Sequence, residues 1–112
     1  MATIFSKVIA REIPADIVYE DDHCLAFRDI NPQAPTHVLL IPKKEVARLS
    51  DATPEDEALL GHMMLVAGKI ARDLGVEDAF RVVTNNGAGA GQSVFHLHFH
   101  ILAGRRFDWP PG

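Results

Sequence analysis

Between residues 95 and 102, histidine alternates with large apolar residues in the run Phe95-His96-Leu97-His98-Phe99-His100-Ile101-Leu102, which holds three of the chain's six histidines. Alternation of this length is the period of a half-buried β-strand. Leu97, Phe99 and Ile101 are therefore expected to face a core while the three imidazoles share the opposite face. Alternate residues on a strand stand about 6.5–7 Å apart at the backbone, so the imidazoles can converge on one small ligand. Left buried without partners they would cost stability. A chain carrying this segment needs a sheet with one face packed and the other chemically occupied.

A length of 112 residues provides one domain, residues 1–112, with a core large enough to stand without staples. Cys24 is the single cysteine, which excludes an internal disulfide and a thiolate zinc cage within one chain. A reducing compartment fits it best. The first residues lack the basic-then-apolar run of a secretory signal, and no apolar stretch approaches the roughly 20 residues needed to cross a bilayer. A cytoplasmic protein with no membrane partner is expected. The net charge of -4 argues against a sequence-independent grip on polymeric nucleic acid, which needs a basic face. A single small phosphate group stays open.

Residues 4–11 mix apolar and basic side chains at near-helical spacing, and Pro14 ends that helix. Residues 17–19 and 24–27 are short apolar runs either side of Glu20-Asp21-Asp22, the pattern of a hairpin with an acidic turn. A proline-rich loop over 29–35 delivers a strand over 36–41, opened by His37 and closed by Pro42. Lys43, Lys44 and Glu45 read as solvated surface. Thr53 as N-cap, Pro54 at the first helical position and the acidic residues 55–57 start a helix, and Gly75 stops it. Leu59, Leu60, Met63, Ala67, Ile70, Ala71 and Leu74 give that helix one apolar face of about six turns. His62 on the same helix reads as surface, with no histidine or acidic partner at ligand spacing. A strand over 80–84 leads into a loop over 85–93 with glycines at 87, 89 and 91. Such a loop can offer backbone amides to phosphate oxygens. It lacks the Gly-Lys-Ser/Thr ending of a P-loop and runs into a strand rather than a helix, so it is not a dinucleotide fingerprint either. Trp109, beside two prolines, suggests an extended tail docked on another surface.

The histidine strand admits three readings. His-x-His can hold a metal, with His37 as third ligand, although no carboxylate lies in the strand or its loop to orient such ligands. The imidazoles could instead be held by local hydrogen bonds alone. The third reading is phosphorus chemistry with a histidine nucleophile. Neutral imidazole attacks through a free lone pair while its other nitrogen is fixed by a hydrogen bond. A neighbouring histidine can protonate the departing group, and loop amides with Ser93 can stabilise the phosphoryl oxygens without a metal.

The run over 91–100 resembles the signature of the histidine triad (HIT) superfamily, His-φ-His-φ-His-φ-φ with φ apolar. Residues 29–37, 41–44 and 109–112 further resemble its nucleotide-binding (Hint) branch, so that the likeness runs nearly end to end. The resemblance implies an α+β fold with a five-stranded antiparallel sheet and two helices per subunit, continuous across a homodimer. It implies a purine nucleoside phosphoramidase that hydrolyses the P–N bond of adenosine 5'-phosphoramidates through a covalent nucleotidyl-histidine, with no cofactor and no metal. On that likeness His98 is the nucleophile, and His37, His96 and His100 orient it, contact the phosphate and move protons. Asn85 and Ser93 would hydrogen-bond the phosphate and leaving group, with Gly91 and Gln92 of the same loop on the nucleotide. Asp29 would hold the ribose hydroxyls. Phe5, Val8, Ile13, Phe27, Ile30 and Leu39 would line the base pocket, and Trp109 would sit by the partner subunit's site. Nucleotidyltransferase relatives carry glutamine in place of the third histidine, so His100 favours hydrolysis. Phe95 and Asn86 depart from the tyrosine and acidic residue of relatives. The competing functional reading is a nucleotide-binding regulatory or scaffold protein with weak hydrolysis.

Overall fold

Short, largely apolar strands build the sheet of this protein, and the computed structural model describes it over residues 2–112. The elements run α1 (Ile4–Ile9), β1 (Ile17–Glu20), β2 (Cys24–Arg28), β3 (Thr36–Pro42), α2 (Glu57–Asp73), β4 (Phe80–Val83) and β5 (Phe99–Ala103). All pairings are antiparallel and the strand order is β1-β2-β3-β5-β4. The fold is α+β, as expected. Alternate residues of the central strands serve two different layers. Cys24, Ala26, Val38, Leu40, Phe99 and Ile101 pack with Met63, Val66, Ala67 and Ile70 of α2. Leu25, Phe27, Leu39 and Ile41 pack with Phe5 and Val8 of α1 on the opposite face. Truncating a fully buried residue such as Leu40 would cost about 2–5 kcal/mol.

Helix α2 begins one turn later than its sequence signals suggest. Pro54–Asp56 form a 3₁₀ turn, closed where the Thr53 N–H donates to the Asp56 carboxylate at 3.0 Å, and α-helical bonding starts at Glu57. Lys44 is less free than a solvated lysine, because its ammonium lies 2.5 Å from that nearly buried carboxylate, and Lys43 lies 2.8 Å from Glu20.

The histidine segment supplies the main departure from expectation. Regular β5 starts at Phe99, not at residue 95, and His96 and His98 precede the ladder. The partner strand explains this. Phe99 pairs with Leu40, and further along β3 the chain reaches Pro42, which has no N–H to donate. The Pro42 carbonyl accepts instead from the His96 ring at 2.7 Å, and the Leu97 N–H turns to the carbonyl of Val46, also at 2.7 Å. The His98 carbonyl accepts from the Thr84 hydroxyl at 2.9 Å, a side chain standing in for a ladder bond. The alternation nevertheless persists through this irregular stretch. Leu97 enters the α2-side core, while His96 and His98 lie edge-on to Phe5 of α1.

Candidate active site

The hydrogen bonds around the histidines fix which nitrogen of each carries a proton. In His98, Nδ1 lies 2.7 Å from the His96 carbonyl, which can only accept, so Nδ1 is the protonated nitrogen and Nε2 keeps its lone pair. In His37, Nδ1 accepts from the Gln33 N–H at 3.0 Å, which puts the proton of the neutral ring on Nε2. That Nε2–H donates to His100 Nδ1 at 2.9 Å, and His100 must then carry its own proton on Nε2. The cluster thus offers a bare lone pair on His98 beside an N–H on His100, with the two rings 5.0 Å apart.

Burial keeps these rings neutral. Desolvation pushes the pKa of His98 below the ordinary histidine value, against the opposing effect of its bond to the His96 carbonyl. Desolvation, together with the neighbouring His98 and His37, pushes His100 down to about 4. Desolvation also lowers His37, with the Asp29 carboxylate pulling the other way. Asp29 follows β2 directly. One of its oxygens accepts from the Asn31 N–H at 2.8 Å and the other lies 3.5 Å from His37 Nε2.

A cavity of about 310 Å³ opens over His98 and His100, and Ser93 and Asp29 are among its polar lining residues. Phe5, Val8, Ile13, Phe27, Ile30 and Leu39 all line it. The apolar wall arises because α1 and the 13–15 segment cover the same face of β2 and β3 that carries the histidines. Ile4, Pro14, Ala15, Arg28 and Val94 complete the wall and had no signal in the sequence beyond their proximity to these elements. Thr84, which anchors the His98 backbone, had none at all.

The remaining candidates lie elsewhere. Gln92 is 3 % exposed and its amide is spent inside the protein: Oε1 accepts from the Gly87 N–H, and Nε2 donates to the carbonyls of Ala47 and Val94. It shapes the loop instead of facing the cavity. Gly87 and Gly91 adopt positive φ of 90° and 97°, bounding the 3₁₀ turn Ala88–Ala90, and the Asn85 side chain stands against Gly91. His37 and His96 are buried behind the cavity wall. Trp109 is 83 % exposed on the tail, whose path is set where Arg81 donates to the Asp108 carbonyl. Asn86 accepts from the Ser50 N–H, so neither it nor the half-exposed Phe95 lines the cavity.

Two groups among the described residues bring three metal-ligating atoms within 4.8 Å of one another: Asp29, His37 and His100, and Asp21, Cys24 and His62. The first supplies the carboxylate missing from the histidine strand itself, but its ring nitrogens are already paired with each other. The second corrects the expectation for His62, whose Nε2 lies 2.6 Å from the Asp21 carboxylate.

The model of the HIT domain family matches residues 10–107. An uncharacterised HIT-like protein of Synechocystis is 71 % identical over 110 residues, spanning 98 % of this chain and 96 % of that protein. The crystal structure of a HIT family hydrolase from Legionella pneumophila superposes with a TM-score of 0.96 at 46 % identity, over 99 % of this chain and 100 % of that one. A histidine triad nucleotide-binding protein from Candida albicans gives a TM-score of 0.83 at 33 % identity, over 99 % of this chain and 85 % of that one.

Proposed function

Since this chain belongs to the HIT domain family, we propose that it is a purine nucleoside phosphoramidase acting on adenosine 5'-phosphoramidates through a nucleotidyl-His98 intermediate. The observation that carries the reading is the fixed tautomer of His98. Its Nδ1–H is held by a backbone carbonyl and its Nε2 lone pair is left beside an apolar cavity of base-binding size.

In the first step the His98 Nε2 lone pair forms a bond to phosphorus as the P–N bond breaks, and the bonding pair stays on the leaving nitrogen. That nitrogen takes a proton delivered by His100 and drawn from solvent, and departs as an amine. Ser93, which lines the cavity, stabilises charge on the phosphoryl oxygens. In the second step water attacks phosphorus, the electron pair of the P–N bond to His98 returns to Nε2, and the surplus proton of the water leaves to solvent. The step pair needs no metal. Asp29, at the mouth of the same cavity, takes the ribose hydroxyls, and the apolar wall from Phe5 to Leu39 takes the base.

The working unit in this reading is a homodimer with a continuous sheet. Strand β4 is an edge strand, and Met64 and Leu65 stand exposed on the outer face of α2. A second copy paired along β4 would satisfy that edge, and would give Trp109 a neighbouring site to border. The single buried cysteine suits the reducing cytoplasm, and no helix among the described residues is long and apolar enough to cross a membrane.

Release of AMP from adenosine 5'-phosphoramidate in excess EDTA, measured for wild type and His98→Ala, tests the proposal. Turnover that survives the chelator and vanishes in the variant is expected. Loss of wild-type turnover only under EDTA would overturn the metal-free reaction. AMP binding without turnover in either condition would make the protein a nucleotide-binding module.

A further inference from the structure

On the opposite face of the sheet, a second set of donors has no part in the reaction described above. We propose that Asp21, Cys24 and His62, with His23 as fourth donor, form a binding site for one zinc-class divalent ion that joins the β1–β2 turn to α2. Asp21 lies in the turn, Cys24 opens β2, and His62 projects from the first half of α2, so only the packing of α2 on the sheet assembles the set.

The distances suit a tetrahedral ion. Zinc bonds of about 2.3 Å to sulfur and about 2.0–2.1 Å to nitrogen and oxygen require a sulfur–oxygen separation of about 3.5 Å and a nitrogen–oxygen separation of about 3.3 Å. Cys24 Sγ is 3.7 Å from Asp21 Oδ2, already at that separation. His62 Nε2 is 2.6 Å from the same oxygen and must retreat by about 0.7 Å. The His62 side chain is 37 % exposed, which leaves it room to do so. The His23 ring stands edge-on to His62 with centroids 5.6 Å apart and itself lines a surface groove of about 270 Å³.

The carboxylate is also oriented in advance. Asp21 Oδ1 accepts from the N–H groups of His23 and Cys24 at 2.7 and 2.9 Å, and Oδ2 accepts from the Tyr19 hydroxyl at 2.8 Å. These bonds use lone pairs that the ion does not need, so they hold the ligand in place when the ion binds. A mixed nitrogen, oxygen and sulfur set selects zinc or cobalt over magnesium or calcium, which prefer all-oxygen shells. Binding is a proton exchange. The Cys24 thiol proton leaves to solvent as the sulfur–metal bond forms, and the His62 proton shifts to Nδ1 so that Nε2 can donate its lone pair.

Titration of the full-length protein with Co(II), followed by absorption, provides the test. One equivalent per chain with a near-ultraviolet sulfur-to-cobalt charge-transfer band is expected, because the donor group in the reaction cavity contains no sulfur. The band should disappear in Cys24→Ala, and the apparent affinity should fall at least about tenfold in His62→Ala. Should Cys24→Ala fold poorly, His62→Ala changes only a half-exposed helix residue and keeps the test intact. Absence of the band in wild type overturns the proposal, and so does a band whose titration is unchanged by His62→Ala.

Discussion

The two faces of the sheet each bring histidine against carboxylate, yet they leave the imidazoles in opposite conditions. On the α1 face, His98 gives its proton to a backbone carbonyl and keeps its reactive lone pair beside an apolar cavity. On the α2 face, His62 points its Nε2 directly at the Asp21 carboxylate, and that nitrogen is engaged. His98 sits in the irregular stretch just before β5 and His62 on a regular helix, and the aspartate on the first face stands against His37 rather than His98. What separates them is the partner of one ring nitrogen. A neutral carbonyl fixes the tautomer and leaves the other nitrogen free as a nucleophile, whereas a carboxylate clamps the ring as a tether between elements.

The sharpest way to break that comparison is to remove each ring in turn. His98→Ala should lower AMP release by roughly 10³-fold or more, as expected when a covalent nucleophile is lost. His62→Ala should leave it within about twofold, since the site lies on the other face of the sheet. Comparable losses in both variants would show that the faces are not independent. Stability should respond the other way. Asp21→Ala strips the acceptor from two turn amides and the Tyr19 hydroxyl, and should cost about 2–4 kcal/mol in urea unfolding. An unchanged midpoint would mean that water replaces the carboxylate at no cost. Ser93→Ala, which removes one donor of a set at the cavity mouth, should slow turnover by about 10- to 100-fold without changing that midpoint.

Acid should separate the faces by pH. The folded His98, His100 and His37 have lowered pKa values, so the unfolded chain binds more protons between the ordinary histidine value of 6.5 and about 4, where His100 titrates. Stability therefore rises with pH across that window, and both stability and turnover should fall as pH drops through it. Asp21 behaves differently. Burial acts to raise its pKa, but hydrogen bonds from His23, His62, Tyr19 and Cys24 outweigh it and hold the carboxyl well below the usual range. Its stabilisation is present above its unfolded value of 3.8 and is lost only below it. Unfolding midpoints measured from pH 7 to 3 should show the loss through the histidine window in wild type and a smaller one in His98→Ala, while Asp21→Asn should lower the midpoint by a constant amount above pH 4 and converge on wild type below it. The smallest effect concerns the tail. Deleting residues 109–112 should change leaving-group preference more than base preference, and matching specificity profiles for both forms would remove Trp109 from the site.

Elements whose period matches a packed face are legible in the linear chain. The apolar runs of β2 and β3, the alternation of β5 and the three- and four-residue steps of α2 mark the segments that form the two cores. The apolar cavity wall followed from the family likeness, and the geometry brings those six residues together. Gln92 shows the limit of motif reading, because a glutamine beside a glycine loop looks like a ligand contact until three internal hydrogen bonds use up its amide. His62 shows the converse. Its acidic partner is 41 residues away in sequence, and no local spacing could have revealed it.

The sequence by itself determined the strand and helix periods and the presence of a histidine face, because these depend on local backbone geometry and on which side chains leave water. Only the tertiary structure decided the tautomers of His37, His98 and His100, the arrival of Asp29 beside them, and the pairing of Asp21 with His62. Each of those depends on a donor or acceptor from another segment within about 3 Å, a distance that hydrogen bonding requires and that a linear sequence does not encode.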